Sequence, residues 1–312
     1  MEQTPLTVRD LFEAGVHFGH QTRRWNPRMK PFLFGERNGV HIVDLDQTLP
    51  RLEAALDFLR RTVAAGGKVL FVGTKRQAQA PIQAEAERAG QFYVNRRWLG
   101  GMLTNFKTVR KSIERFKELL DQVGDEQKLA EISKKELSGI NRWIEKYKKS
   151  LDGIKEMTRL PDALFVIDVG CEAIAIKEAN RLGIPIVGVV DSNCDPDSID
   201  YVVPGNDDSL RAIQLYCARV AEACIEGAML FSERVQAEVA EEERTRATGP
   251  APERAAGTGK VVVEITQQPR RGRGTHSAGA DTRGPGGGRG THQPPREEPE
   301  AAPASDTPAA SE

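Results

Sequence analysis

The chain has 312 residues, enough for one large domain or two smaller ones, and its 44 basic and 45 acidic residues nearly cancel. This balance excludes a protein that coats nucleic acid uniformly, so any cations that bind RNA must be gathered in patches. No segment has the pattern of a secretory signal or the apolar length of a membrane span, and a cytoplasmic protein is therefore expected.

The amino-terminal region is predicted to contain a short helix over Val8–Ala14, a basic loop over residues 15–30, and short strands at Phe32–Phe34 and Val40–Val43. The loop combines cations with one indole and one amide. Guanidinium groups match phosphate oxygens, an indole can stack, and an amide can position a polar edge. This composition predicts an RNA contact, although a solvated basic turn looks similar. The residues assigned to the contact are Arg23, Arg24, Trp25, Asn26, Arg28, Lys30 and Arg37.

Apolar strands then alternate with amphipathic helices, first before residue 103 and again after residue 158. Such alternation is typical of a parallel sheet covered on both faces, so the predicted fold class is a doubly wound α/β domain. The predicted strands are Val69–Val72, Phe92–Val94, Ala163–Ile167, Pro185–Val190 and Tyr201–Val203. The predicted helices are Leu49–Val63, 76–89, Glu172–Leu182 and Asp208–Glu243.

Residues 104–157 have a different pattern, with two apolar seams at three- and four-residue spacing and densely charged outer faces. Ser133 and Glu136 form a capping box that starts the second helix. Two seams joined by a short loop predict an antiparallel helical hairpin, a coiled coil inserted into the α/β domain. The seam residues are Phe106, Val109, Ile113, Phe116 and Leu120, then Leu137, Ile140, Ile144, Tyr147, Leu151 and Ile154.

The last segment of the chain has nine of the 18 prolines, 11 of the 29 glycines and few large apolar residues. It cannot bury enough apolar surface to offset its ordering entropy, and we predict that it is disordered. Its segment 270–274 is similar to an RGG-type RNA contact, although a neutral appendage is the simpler interpretation. The predicted domains are residues 5–103 plus 158–243 (α/β), 104–157 (hairpin) and 244–312 (tail).

The turns that follow the predicted strands are where an α/β enzyme would place its chemistry. The turn at Gly73 lacks the glycines of a Walker loop or a dinucleotide fingerprint. Cys171 could be a nucleophile at a helix start, but no paired base is identifiable, and a small residue in a tight turn is favoured. The four cysteines, which have no zinc-ribbon spacing, are expected to be reduced thiols. No catalysis and no cofactor are therefore expected.

Two sets of residues leave a metal site open as an alternative. The aspartates between 191 and 208 could collect a divalent cation, although turns and helix caps need the same residues, and Asp208 is well placed to cap the last helix. His17 and His20 could offer imidazoles, but the flanking glycines favour a tight turn. No metal is assigned.

A second basic group is predicted beside Trp98, which is equally compatible with stacking on RNA and with packing in the core. This group would neutralise phosphates together with the amino-terminal loop. Its members are Lys75, Arg76, Arg96 and Arg97.

Five segments in order resemble the bacterial small-subunit ribosomal protein two family, over roughly residues 5–235. The resemblance implies a flavodoxin-like fold with an inserted coiled coil, and a structural constituent of the small subunit. It also implies late assembly onto 16S rRNA at the head–body junction, contact with neighbouring subunit proteins, and docking of ribosomal protein one for messenger RNA loading. The segments are residues 15–30, 96–106, 154–162, 191–197 and 204–208.

Overall fold

A computed structural model describes residues 5–125 and 132–248 of the chain. The middle of the predicted hairpin loop and the predicted disordered tail beyond Thr248 lie outside the described residues. Among the helices of the described part, none is long and apolar enough to cross a membrane.

The amino-terminal region forms one helix and a small antiparallel sheet with the strand order β1-β3-β2. The helix begins at Thr7, which shares a capping box with Asp10. Short 3₁₀ turns at Thr22–Arg24 and Pro27–Phe32 occupy most of the predicted basic loop, but its start is a strand that the sequence analysis missed. The elements are α1 (Val8–Glu13), β1 (Phe18–Gln21), β2 (Leu33–Arg37) and β3 (Val40–Val43).

A five-stranded parallel sheet forms the centre of the fold, in the spatial order β5-β4-β6-β7-β8. Counted along the chain, this order is 2-1-3-4-5, which is compatible with a flavodoxin-like fold. The predicted α/β class with a parallel sheet is confirmed. The strands are β4 (Val69–Val72), β5 (Phe92–Val94), β6 (Ala163–Ile167), β7 (Ile186–Val190) and β8 (Tyr201–Pro204).

Six further helices in the described residues accompany the sheet, and apolar side chains cover both of its faces. Successive strand residues point to opposite faces, so Phe71 lies in the core that includes residues of α2, α3 and α7, whereas Leu70 lies in the core that includes residues of α4, α5 and α6. The helices are α2 (Leu45–Ala64), α3 (Gln79–Arg88), α4 (Phe106–Gly124), α5 (Lys134–Leu151), α6 (Ala173–Leu182) and α7 (Leu210–Thr248).

Helices α4 and α5 pack against each other through part of the predicted seams. Ile113 and Phe116 on α4 are buried in the same core as Ile144 on α5, and the rings of Phe116 and Tyr147 lie 5.8 Å apart. The capping box of Ser133 is present. This core also includes residues of the sheet, so the base of the two helices is continuous with the α/β domain.

Several predicted helix boundaries differ from the structure. Helix α2 begins at Leu45 rather than Leu49, after Asp44, whose side chain accepts a hydrogen bond from the amide of Asp46. Helix α3 begins at Gln79 rather than residue 76, because the amides of Ala78 and Gln79 both donate to the Lys75 carbonyl and form a turn first. The predicted cap at Asp208 is wrong: α7 begins at Leu210, and the Ser209 hydroxyl accepts the hydrogen bond from the amide of Ala212. At its other end α7 continues past Glu243.

Candidate nucleic-acid interface at the carboxyl edge of the sheet

The amino-terminal segment lies on the carboxyl edge of the parallel sheet. The amide of His20 donates to the hydroxyl of Ser192 at 2.8 Å, and the amide of Asn26 donates to the Ser192 carbonyl at 2.8 Å. A Cβ on Gly19 would come within 2.8 Å of the Ser192 hydroxyl, so this close approach requires glycine. The predicted basic loop is thereby fixed to the turn that follows β7.

Most of the predicted RNA-contacting cations are exposed at this edge. Arg23 and Arg24 form part of a short 3₁₀ turn on the segment bound to Ser192, and the indole of Trp25 lies 5.2 Å from the ring of His41. The second group follows the carboxyl ends of β4 and β5, which meet the same edge because the strands are parallel. The exposed cations of the two groups are Arg23, Arg24, Lys30, Arg37, Arg76, Arg96 and Arg97.

Arg28 differs from these cations because its charge is matched within the protein. Its Nη1 lies 2.5 Å from a carboxylate oxygen of Asp195 and 2.9 Å from one of Asp197, and the bond to Arg28 lowers the pKa of Asp195. The side-chain oxygen of Asn26 accepts a hydrogen bond from the Arg28 amide at 3.0 Å and caps the turn. Both residues therefore shape the loop.

Lys75 is also engaged internally. Its Nζ lies 2.7 Å from an oxygen of Asp207, 2.5 Å from one of Asp208 and 3.4 Å from one of Asp168. Burial lowers the pKa of Lys75, but the bonds to Asp207 and Asp208 outweigh it and raise the pKa overall. This ammonium follows β4 and meets Asp168 after β6, where doubly wound enzymes hold their ligands. An internal ion-pair cluster therefore lies in this crevice.

The same crevice brings together His20 and the aspartates at 191–208, which the sequence pattern does not connect. His20 lies between two carboxylates, with Nδ1 3.1 Å from Asp191 and Nε2 3.3 Å from Asp208. Burial, together with Asp191 and Asp168, raises the pKa of Asp207 to about 7, against the lowering effect of Lys75. His20, Asp191 and Asp207 each direct one potential metal-ligating atom to a common region. Only the tertiary contact of β1 with the sheet brings the histidine to the acids.

Trp98 is buried, so of its two interpretations the structure supports packing in the core. Its Nε1 donates to the carboxylate of Glu178 at 3.2 Å. The same carboxylate accepts hydrogen bonds from the amides of Gly101, Leu103 and Thr104 at 2.7, 3.0 and 3.1 Å. Glu178 thus fixes the loop that follows Arg96 and Arg97, and the sequence analysis missed it.

Cys171 lies after β6 and has no sign of an activated thiol. Burial and the nearby carboxylates of Asp168 and Glu172 raise the pKa of Cys171. A nucleophilic cysteine needs the opposite shift, because the thiolate is the reactive form. The favoured interpretation of Cys171 as a turn residue agrees with this environment.

A patch of aromatic side chains, formed by Phe12, Phe18 and Phe34, is exposed beside the small sheet. Phe34 is 81% exposed, and the imidazole of His17 stacks on Phe12 with ring centroids 4.3 Å apart. Exposed aromatic clusters of this kind are typical of protein–protein contact sites. We call these three residues the aromatic patch.

Comparisons with known proteins identify relatives over most of the chain. The profile of the family described as "Ribosomal protein S2" matches residues 11–227. A protein named "Small ribosomal subunit protein uS2" from Ruegeria sp. (strain TM1040) is 60% identical over 225 residues, 71% of this chain and 86% of the relative. A protein of the same name from Solidesulfovibrio magneticus is 57% identical over 223 residues, 72% of this chain and 86% of the relative. Another from Dinoroseobacter shibae is 59% identical over 222 residues, 71% of this chain and 85% of the relative.

Proposed function

The chain belongs to the ribosomal protein S2 family, and from this membership we propose that it is a structural constituent of the small ribosomal subunit. It acts in the cytoplasm as part of the ribosome, supports translation and catalyses no reaction. In the subunit it binds 16S rRNA by neutralising phosphates and by shape, beside neighbouring subunit proteins. The observation that carries the RNA contact is the gathering of exposed cations at one edge of the sheet.

Three separate stretches of the chain contribute to this basic edge. The cations after β4 and β5 lie at one end of the strand order, and the amino-terminal segment is bound to the turn after β7. From β5 to β7 is three strand spacings of about 4.8 Å, so the edge is roughly 14 Å wide at the sheet itself. An RNA contact confined to one side of a near-neutral chain requires exposed cations that are grouped, and these cations lie beside the carboxylates of the crevice.

The cations at this edge divide into two roles. Arg23, Arg24 and Lys30 are exposed, and we assign them to phosphate contacts, with Trp25 available for stacking. Arg28 and Lys75 hold the loops in place through their aspartate partners, and a phosphate contact would compete with those ion pairs. The exposed Arg76, Arg96 and Arg97 extend the phosphate-binding surface. Arg37 is an outlying member of this surface, because it ends β2 and lines a cavity together with Phe12, Phe18 and Phe34.

The salt dependence of binding tests this proposal. We expect the purified chain to co-sediment with small subunits that lack it, and the triple variant Arg23→Ala, Arg24→Ala, Lys30→Ala to incorporate poorly. Each lost phosphate contact should reduce the slope of log affinity against log salt by about 0.7–0.9. The matched control replaces three cations near the amino edge, Arg61, Arg88 and Arg181, with alanine and should bind normally. Equal slopes for the two triple variants would refute the assignment.

The aromatic patch supports a second contact, with a protein partner. We propose that ribosomal protein one docks here, because aromatic side chains are enriched at interface cores and nothing in the described residues covers Phe34. Phe34→Ala should weaken capture of ribosomal protein one by assembled subunits while leaving RNA binding intact. Ile174→Ala removes an exposed apolar side chain elsewhere and is the control. Unchanged capture by the Phe34 variant would rule out this face.

A further inference from the structure

We propose that His20, Asp191 and Asp207 form a binding site for one divalent metal ion of the class that accepts an imidazole nitrogen, such as Zn²⁺ or Mn²⁺. Their potential ligand atoms all lie within 4.8 Å of one another. Bonds of about 2.1 Å place two ligands of one ion at most roughly 4.2 Å apart, so side-chain movements of a few tenths of an ångström complete the geometry. This site is independent of the RNA contact.

An unpartnered buried oxygen points to a ligand at this position. The side chain of Asp207 is only 1% exposed; its Oδ1 accepts from Lys75, but its Oδ2 has no hydrogen-bond partner among the described residues. Buried polar groups of native proteins are nearly always paired, so this oxygen is available to a ligand.

The charge of the cluster favours a cation as that species. Four carboxylates, those of Asp168, Asp191, Asp207 and Asp208, surround the single ammonium of Lys75. The hydrogen bond with Asp191 raises the pKa of His20, so without a metal the imidazole can carry one compensating charge. With all four carboxylates ionised and His20 neutral, as a metal ligand must be, three negative charges are unbalanced, and the side chains of Asp191 and Asp207 are 1% exposed. Buried charges of one sign require a counter-ion or protonation. A divalent ion would remove most of the excess.

The donor set selects the kind of metal. One imidazole nitrogen with two carboxylate oxygens is a combination that Zn²⁺ and Mn²⁺ accept, whereas Mg²⁺ and Ca²⁺ prefer oxygen ligands alone. A second, overlapping cluster joins Asp207 to Asp168 and Cys194. Burial raises the pKa of Cys194 to about 12, so its thiol is protonated until a metal displaces the proton. Asp207 belongs to both clusters and is the residue to replace.

The site has a structural consequence for the amino-terminal segment. His20 lies on β1, whereas Asp191 and Asp207 follow β7 and β8 of the parallel sheet. A metal bound by all three would join the small sheet to the large one at the place where Ser192 already holds the segment. Metal binding should therefore stabilise the native state, since the unfolded chain does not assemble these ligands.

The test titrates Zn²⁺, Mn²⁺ and Mg²⁺ separately into the metal-free full chain by calorimetry, and repeats the melting curves with each ion. We expect one equivalent of Zn²⁺ or Mn²⁺ to bind more tightly than Mg²⁺. At a free concentration about a hundredfold above Kd, the melting temperature should rise by about 5–10 °C. Asp207→Asn and His20→Gln should each weaken binding by at least about tenfold, as loss of even an outer-shell partner does.

Two controls separate this site from other metal-binding groups. His276→Gln with His292→Gln removes the tail histidines, and Asp46→Asn removes an exposed carboxylate on α2; both variants should bind like the unaltered chain. If Asp207→Asn does not fold by circular dichroism, His20→Gln, at a partly exposed position, decides the outcome. Affinity weaker than about millimolar, tighter binding of Mg²⁺, unaltered binding by His20→Gln, or loss of binding with the tail histidines would overturn the proposal.

Discussion

Glu178 shows how much of the basic edge depends on one residue that the sequence does not reveal. It lies in the middle of α6, where an isolated glutamate normally indicates a solvated helix face. In the fold it is buried, and its carboxylate accepts hydrogen bonds from the indole of Trp98 and from three backbone amides of the following loop. Burial raises the pKa of Glu178, but these hydrogen bonds outweigh burial and lower it overall.

Replacing Glu178 with glutamine should destabilise the fold, because the new NH₂ group cannot accept the hydrogen bonds that one carboxylate oxygen now receives. Each buried donor left unpaired costs about 1–3 kcal/mol. Urea denaturation at neutral pH measures the loss of free energy of unfolding. Lys177→Gln, an exposed change of charge on the same helix, should shift this free energy by less than about 0.5 kcal/mol. Equal effects of the two substitutions would mean that the network contributes nothing.

The pH dependence of the same pair of proteins gives an independent check. A glutamate with a lowered pKa in the folded state stabilises the fold above its ordinary value of 4.5, and this stabilisation is lost as the pH falls through the folded-state pKa. The difference in unfolding free energy between the unaltered chain and Glu178→Gln should therefore be largest near neutral pH and shrink below about pH 4.5. A difference that stays constant down to pH 3 would contradict the hydrogen-bonded carboxylate.

At the scale of elements, the strands whose formation depends on the local sequence pattern were predicted correctly. All five strands of the parallel sheet are short apolar runs bounded by turn residues, and each was identified from the sequence. Strand β1 was not, because Phe18–Gln21 has neither β-branched residues nor alternation, and its pairing with β3 is irregular. Strand β1 places His20 next to Asp191. Because this strand was not predicted, the contact between His20 and the acidic crevice could not be predicted either.

The helical pair α4 and α5 offers a test of the predicted hairpin. Ile144 is buried against the α4 seam, so Ile144→Ala should cost about 2–5 kcal/mol. Exposed Lys148 on the same helix is the control, and Lys148→Ala should cost less than about 0.5 kcal/mol. If the hairpin opens as its own unit, hydrogen exchange in Ile144→Ala will accelerate within residues 106–151 and spare β4 and β6. Faster exchange throughout the sheet would show that the helices unfold with the main core.

At the scale of the whole molecule, the arrangement of charge explains a composition that looked unsuited to RNA. Some basic residues away from the carboxyl edge are paired with nearby acids, as in Arg61 with Asp57 and Arg219 with Glu222. Exposed cations lie at the edge where the strands end, as Arg23 and Arg24 do, and also along α5, as Lys148 and Lys149 do. Composition therefore predicted that the cations are gathered in patches but not where they lie, since their location follows from strand order.

The carboxyl-terminal boundary gives the last prediction, that the folded unit needs no residue beyond α7. The composition after Thr248 is rich in proline and glycine, which weighs against a packed core. A chain that ends at Thr248 should keep the cooperative melting transition and the salt slope of RNA binding. A chain that ends at Ile225 should melt lower, because it loses the Phe231 ring that lies against Gly66 and the close contact of Gly227 with α2. A lower melting temperature for the Thr248 variant would mean that the tail packs on the folded part.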